Sequence, residues 1–84
     1  MSRKNVIVSN VSDSHANPIA ELVQLACRFD SEIILESDNR RINAKSIMGI
    51  MGIGLDVDKE ITICAKGEDE IQAIAALEAF LTEN

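Results

Sequence analysis

In its middle the chain reads EIILESDNRRIN, from Glu32 to Asn43. The residues on either side of the polar cluster Ser37–Arg40 predict two strands joined by a tight turn. Two more strands are predicted outside this hairpin, one over Asn5–Asn10 and one over Glu60–Ala65. Because the two strands of a hairpin run antiparallel, this set of four favours an antiparallel or mixed sheet.

Three other segments predict helices. The first begins near Pro18, because the amide donors of a first turn lack intrahelical partners and proline suits that position. The second is short, since Ser46 is a natural N-cap but three closely spaced glycines follow it. The third follows Gly67 and carries acidic side chains in its first turn. The apolar residues expected on the inner faces of the first and last helices are Ile19, Leu22, Val23, Ala26 and Phe29, and Ile71, Ile74, Leu77 and Leu81.

The element order is therefore β-α-β-β-α-β-α. This order predicts an α+β fold in which helices pack on one face of a four-stranded sheet. The 84 residues allow one domain, spanning 1–84. A domain of this size has a thin core and no room for an enclosed substrate cavity, so we expect it to act on its surface.

The composition argues against several classes of function. A net charge of -6, from 8 basic and 14 acidic side chains, disfavours nucleic-acid binding, and two phenylalanines offer no base-stacking platform. The longest apolar run, Ile47–Leu55, is too short to span a membrane, and the one after Arg3 is too short for a signal peptide. We interpret Cys27 and Cys64 as small core residues without metal-ligand spacing. These features predict a cytoplasmic location, no membrane insertion, and no metal or cofactor.

The single histidine, His15, lies at the threshold of the first helix. Unpaired N–H groups and the positive end of the helix dipole make such a position favourable for an anion, and they bias an imidazole toward its neutral, nucleophilic form. A phosphoryl group taken up by His15 could then be held by the same amides. The alternative is that His15 only caps the helix or lies in solvent, and position alone does not decide between the two.

Ser46 has two interpretations as well: it is either only an N-cap or also a phosphorylation site at the start of a helix. The apolar residues that follow exceed what one face of a short helix can bury, so some should stay exposed beside Ser46. An exposed methionine-rich patch is typical of a docking surface. Complete burial under the sheet is equally compatible with the periodicity.

The motif His15-Ala16-Asn17-Pro18, together with NAKSIMGIM over Asn43–Met51, resembles the HPr family, the histidine-containing phosphocarriers of the bacterial phosphoenolpyruvate-dependent sugar phosphotransferase system. The resemblance covers essentially the whole chain. It implies an open-faced β-sandwich, with a four-stranded antiparallel sheet covered on one side by three helices.

The resemblance also implies roles for individual residues. His15 would accept a phosphoryl group from enzyme I and pass it to enzyme II A components, with Ala16, Asn17 and Pro18 forming the helix start that holds it. Ser46 would be phosphorylated by an HPr kinase, after which the protein would act as corepressor of a catabolite-control repressor. Residues docking the partners would be Ile47, Met48 and Met51. The protein would be a carrier with a transient phosphohistidine, not an enzyme with independent turnover.

Two departures from the family pattern concern the loop around His15. Asn17 stands where the family has arginine, and Ser12-Asp13-Ser14 replaces the usual Thr-Gly-Ile. An amide bonds phosphate more weakly than a guanidinium does, and Asp13 adds negative charge nearby. The favoured hypothesis is an HPr-like phosphocarrier acting through His15. The alternative is a regulatory paralogue, of the catabolite-repression HPr kind, that works mainly through phosphorylated Ser46.

Overall fold

A four-stranded antiparallel sheet forms the frame of the protein in the computed structural model, which describes residues 1–82. The strands are β1 (Ser2–Ile7), β2 (Glu32–Ser37), β3 (Arg40–Asn43) and β4 (Glu60–Lys66), and their order in the sheet is β1-β4-β2-β3. The helices are α1 (Val11–Ser14), α2 (Pro18–Ala26), α3 (Ile47–Ile53) and α4 (Glu70–Thr82). The predicted α+β open-faced sandwich is confirmed.

The hairpin between β2 and β3 has the register expected of a two-residue turn, with Ser37 opposite Arg40 and Leu35 opposite Ile42. The two turn residues, Asp38 and Asn39, have positive φ angles of 52° and 64°. Both lie in the left-handed region, as a type I′ turn requires, and that turn matches the twist of the paired strands. The polar cluster therefore turns the chain where the sequence predicted it.

The core lies between one face of the sheet and the helices. Alternate residues of each strand point into it, as the two-residue period of a strand requires. The largest fully buried hydrophobic side chains are Leu22, Ile33, Leu35, Ile50, Ile61, Ile63, Leu77 and Leu81. The opposite face of the sheet carries charge, where Glu36 pairs with Arg3 at 2.7 Å and with Arg41 at 2.8 Å.

Five details differ from the sequence-based expectations. A short helix, α1, precedes α2, and β1 begins at Ser2 rather than at Asn5. Ile71 is 66% exposed, because it lies about 100° around α4 from the mean direction of Leu77 and Leu81. The smaller Ala73 faces the core instead. Cys27 is exposed, since it caps the end of α2, whereas Cys64 is buried as expected. Phe29 lies beyond the end of α2 but still packs against the core.

None of the helices within residues 1–82 is long and apolar enough to cross a membrane.

Candidate functional site

His15 lies in the short connection between α1 and α2. Its backbone N–H donates to the carbonyl of Val11 at 3.0 Å, closing α1, and its own backbone is extended. The next helix follows after only two residues, with Asn17 as N-cap and Pro18 in the first turn. The imidazole therefore lies at the N-terminal end of α2, where the sequence placed it.

The imidazole is held against α4 by an aromatic stack. Its ring centroid is 4.3 Å from that of Phe80, and the two planes are inclined by 25°. Only 17% of the His15 side chain is exposed, although it lies outside the hydrophobic core cluster. The stack fixes the plane of the imidazole and covers one of its faces.

Glu21 binds the same ring from the first turn of α2. Its Oε1 lies 2.7 Å from His15 Nδ1, and its Oε2 accepts the backbone N–H of Asn17 at 3.0 Å. The Asn17 N–H and the imidazole both stabilise the charged form, so the pKa of the Glu21 carboxyl is lowered. An ionised carboxylate only accepts hydrogen bonds, so Nδ1 is the donor and carries a proton.

Asn17 organises the start of α2 around this pair. Its side-chain Oδ1 accepts the N–H of Ala20 at a long 3.4 Å, and its carbonyl accepts the N–H of Glu21 at 3.0 Å. Ala16 and Asn17 are both exposed. The structure therefore brings His15, Ala16, Asn17 and Pro18 together at one accessible helix start.

Asp13, which the sequence placed near the histidine, is exposed on α1. One of its carboxylate oxygens accepts the side-chain N–H of Asn10 at 2.9 Å. Within residues 1–82, the carboxylate bonded to Nδ1 of His15 is that of Glu21 and not that of Asp13.

Sequence reasoning missed both Glu21 and Phe80. Glu21 does carry a local signal, since it lies four residues after the N-cap and can reach back across the first helical turn. Phe80 carries no local sequence signal, because it lies on the last helix, after all four strands, and reaches His15 only in the folded chain.

Ser46 forms the N-cap of α3, as predicted. Its hydroxyl oxygen accepts the N–H of Gly49 at 3.1 Å, and the side chain is half-buried. Gly49 also allows α3 to approach β3 closely, because a Cβ at this position would lie 3.2 Å from the Cβ of Ile42. The neighbouring Lys45 points elsewhere, with its ammonium donating to the carbonyl of Phe29 at 2.7 Å.

Three apolar side chains on α3 remain exposed beside Ser46: Ile47 is 48% exposed, Met48 83% and Met51 63%. We refer to these three residues as the Met48 patch. Ile50 and Ile53, on the opposite side of the helix, are buried. The expectation that part of this segment stays in solvent is therefore confirmed.

Comparison with known proteins gives one consistent result. The family model described as the PTS HPr component phosphorylation site matches residues 2–83. The chain is 41% identical over 83 residues to the HPr-like protein Crh of Bacillus subtilis, covering 99% of this chain and 98% of that relative. It is 45% identical over 75 residues to the phosphocarrier protein HPr of Treponema pallidum, covering 89% of this chain and 85% of that relative.

The same family is found among solved structures. The crystal structure of the phosphocarrier protein HPr from Bacillus anthracis superposes with a TM-score of 0.89, at 41% identity and 96% coverage of each chain. The solution structure of Crh, the catabolite-repression HPr of Bacillus subtilis, superposes with a TM-score of 0.72 at 40% identity, covering 99% of each chain. With a family model across nearly its whole length and relatives above 40% identity, this chain belongs to the HPr family of phosphotransferase-system proteins.

Proposed function

We propose that this protein carries phosphoryl groups on His15, taking them from enzyme I and passing them to enzyme II A components. The observation that carries the proposal is the placement of the only histidine at the start of α2, with one ring face against Phe80 and Nδ1 bonded to Glu21 in the first turn of that helix. An anion formed there lies beside backbone amides and the positive end of the helix dipole.

In the transfer step a ring nitrogen of His15 gives its lone pair to phosphorus. The bond between phosphorus and the donor group of enzyme I breaks, and its electron pair stays with that group. The second transfer reverses these roles, with an enzyme II A component as acceptor. Holding the ring in place lowers the entropic cost of each step, and the amides stabilise the charge that develops on the oxygens. The protein acts as a carrier in this scheme and does not turn over a substrate alone.

The Met48 patch is the surface that we assign to partner docking. Its three apolar side chains are exposed, and flexible methionine adapts to more than one partner surface. A phosphocarrier binds one donor and several acceptors in turn, so it needs a docking surface that adapts to different partners.

Ser46 is proposed as the regulatory site, modified by an HPr kinase and read by a catabolite-control repressor. A phosphoryl group on its hydroxyl would place negative charge at the N-terminus of α3, beside the Met48 patch. The close similarity to Crh supports this role. The free cysteines fit the reducing cytoplasm, which we include in the proposal.

The alternative function is a regulatory paralogue that works mainly through Ser46 and transfers phosphate poorly from His15. Two observations favour it: Asn17 supplies no cationic group to a phosphate, and Glu21 already binds Nδ1 of the histidine.

Incubation with phosphoenolpyruvate and enzyme I separates the two functions. The carrier should form an acid-labile adduct that is sensitive to hydroxylamine and that His15→Ala abolishes, while Ser46→Ala retains it. Absence of an adduct with the cognate enzyme I would eliminate the carrier function. The regulatory role predicts an ATP-dependent, acid-stable adduct that is lost only in Ser46→Ala, and failure with the kinase of the same organism would count against it.

A further inference from the structure

We infer that Glu21 is a built-in restraint on His15, whose carboxylate occupies the place that the phosphoryl group must take. This inference rests on the proposed function, because it concerns the same histidine. Glu21 is a positioning residue in this account: it controls when Nδ1 can react and does not itself transfer phosphate.

The geometry of the Glu21 carboxylate resembles that of the phosphoryl group that would replace it beside His15. Its two oxygens bridge Nδ1 of His15, at 2.7 Å, and the backbone N–H of Asn17, at 3.0 Å. Because Glu21 links Nδ1 to the Asn17 N–H, Nδ1 is a ring nitrogen beside the first amides of α2, and a phosphoryl group bonded to it would have its oxygens toward those amides. A covalent N–P bond is shorter than the 2.7 Å contact, so phosphorus and the Glu21 oxygen cannot occupy this position together.

The proton on Nδ1 gives the restraint a chemical basis. Because the ionised carboxylate accepts a hydrogen bond from Nδ1, that nitrogen has no lone pair to offer while the contact persists. Transfer requires Glu21 to move away and the Nδ1 proton to pass to solvent. Nε2 then carries the proton of the neutral ring, taken from solvent if Nε2 had none. The Nδ1 lone pair then bonds phosphorus, and the bond from phosphorus to its donor breaks with the electron pair staying on the donor.

The carboxylate also opposes the product electrostatically. Once the histidine carries a phosphoryl group, two anions compete for the single N–H of Asn17. A carboxylate and a phosphoryl dianion about 5 Å apart in water, screened by salt, repel by an amount equivalent to roughly fivefold in an equilibrium constant. Glu21 must therefore swing into solvent, and its side chain is 39% exposed, which leaves it a path.

The test compares Glu21→Gln with wild type and with Glu68→Gln. Glutamine keeps the length of the side chain and an oxygen acceptor for the Asn17 N–H, but it removes the charge. Glu68 is exposed and precedes α4, whose rise from Glu70 to Phe80 is about 15 Å, so its replacement changes net charge equally at a site far from His15. We expect Glu21→Gln to raise the rate of phosphorylation by enzyme I about fivefold and Glu68→Gln to leave it unchanged. An equal or slower rate in Glu21→Gln would overturn the inference.

Two further measurements keep this result distinct from the proposed function. Imidazole 15N shifts of the unphosphorylated protein report which nitrogen carries the proton; Glu21→Gln should reduce the fraction on Nδ1, and an unchanged fraction would contradict the restraint. Phosphoramidate phosphorylates histidine without a protein partner, and it too should react about fivefold faster with Glu21→Gln. If enzyme I phosphorylates neither wild type nor Glu21→Gln, but phosphoramidate phosphorylates Glu21→Gln faster than wild type, the proposed function fails while the restraint stands. If the phosphoramidate rates are equal, the restraint fails.

Discussion

Replacing Asn17 by arginine should convert the loop around His15 into a stronger phosphate site. Asn17 is exposed at the N-cap of α2, so a longer side chain has room, and its backbone N–H already faces the site. A guanidinium adds a charge-assisted bond to the phosphoryl oxygens where the amide offers a neutral one, a gain of about 1 kcal/mol. At about 1.4 kcal/mol per factor of ten, we expect the transfer rate to rise roughly fivefold.

The same substitution should weaken the fold slightly. The Asn17 side chain accepts the N–H of Ala20, and loss of an N-cap typically costs about 0.5 to 2 kcal/mol of the free energy of unfolding. The 3.4 Å distance places the expected loss at the lower end of this range. Asn17→Ala is the matched control, because it removes the cap without adding charge and should lose the same stability with no gain in rate.

Initial rates with phosphoenolpyruvate and a limiting amount of enzyme I measure the effect, and urea unfolding measures the stability. A phosphorylation rate for Asn17→Arg that equals or falls below that of wild type would refute the electrostatic account of this loop. A rate gain shared by Asn17→Ala would refute it as well, since that variant supplies no charge.

Three other predictions follow from single contacts. Phe80→Leu keeps an apolar side chain but removes the aromatic stack, worth about 1 kcal/mol, so phosphorylation of His15 should slow about threefold to fivefold in rapid-quench assays; an unchanged rate would mean that the stack does not position the ring. Met48→Ser should raise the KM for this protein in the enzyme I reaction at least fivefold, whereas Val57→Ser, at another exposed apolar position, should not; equal effects would remove the docking role. The pKa of Asp69 is lowered by a serine hydroxyl and backbone N–H donors, so its stabilising effect is present above its unfolded pKa and lost as pH falls through the folded one. The stability difference between wild type and Asp69→Asn should therefore shrink below pH of about 4, and a pH-independent difference in urea unfolding would contradict this.

The fold was largely accessible to sequence reasoning because its signals are local. The polar residues between β2 and β3 specify a turn by their own backbone preferences, and Pro18 and Ser46 mark helix starts through their own hydrogen-bonding chemistry. The error at Ile71 has a physical reason: Ile71 lies about 100° around α4 from the mean direction of Leu77 and Leu81, and Ala73 faces the core instead, so the hydrophobicity of a residue alone does not decide whether it is buried.

Only part of the candidate site could be predicted from the sequence. The position of His15 follows from the neighbouring sequence, but its contacts do not. Phe80 reaches the ring through the packing of α4, sixty-five positions later in the chain. Glu21 was passed over because its role depends on a side-chain conformation that bridges the ring and the helix start, which no spacing rule specifies on its own.

Passage of a phosphoryl group through His15 is tested most directly by a two-step transfer. The protein is phosphorylated with radiolabelled phosphoenolpyruvate and enzyme I, purified away from both, and mixed with an enzyme II A component from the same organism. The account predicts that label leaves this protein and appears on the acceptor, and that His15→Ala gives no label at either stage while Ser46→Ala behaves as wild type. Label that stays on this protein, or that still reaches the acceptor through His15→Ala, would contradict it.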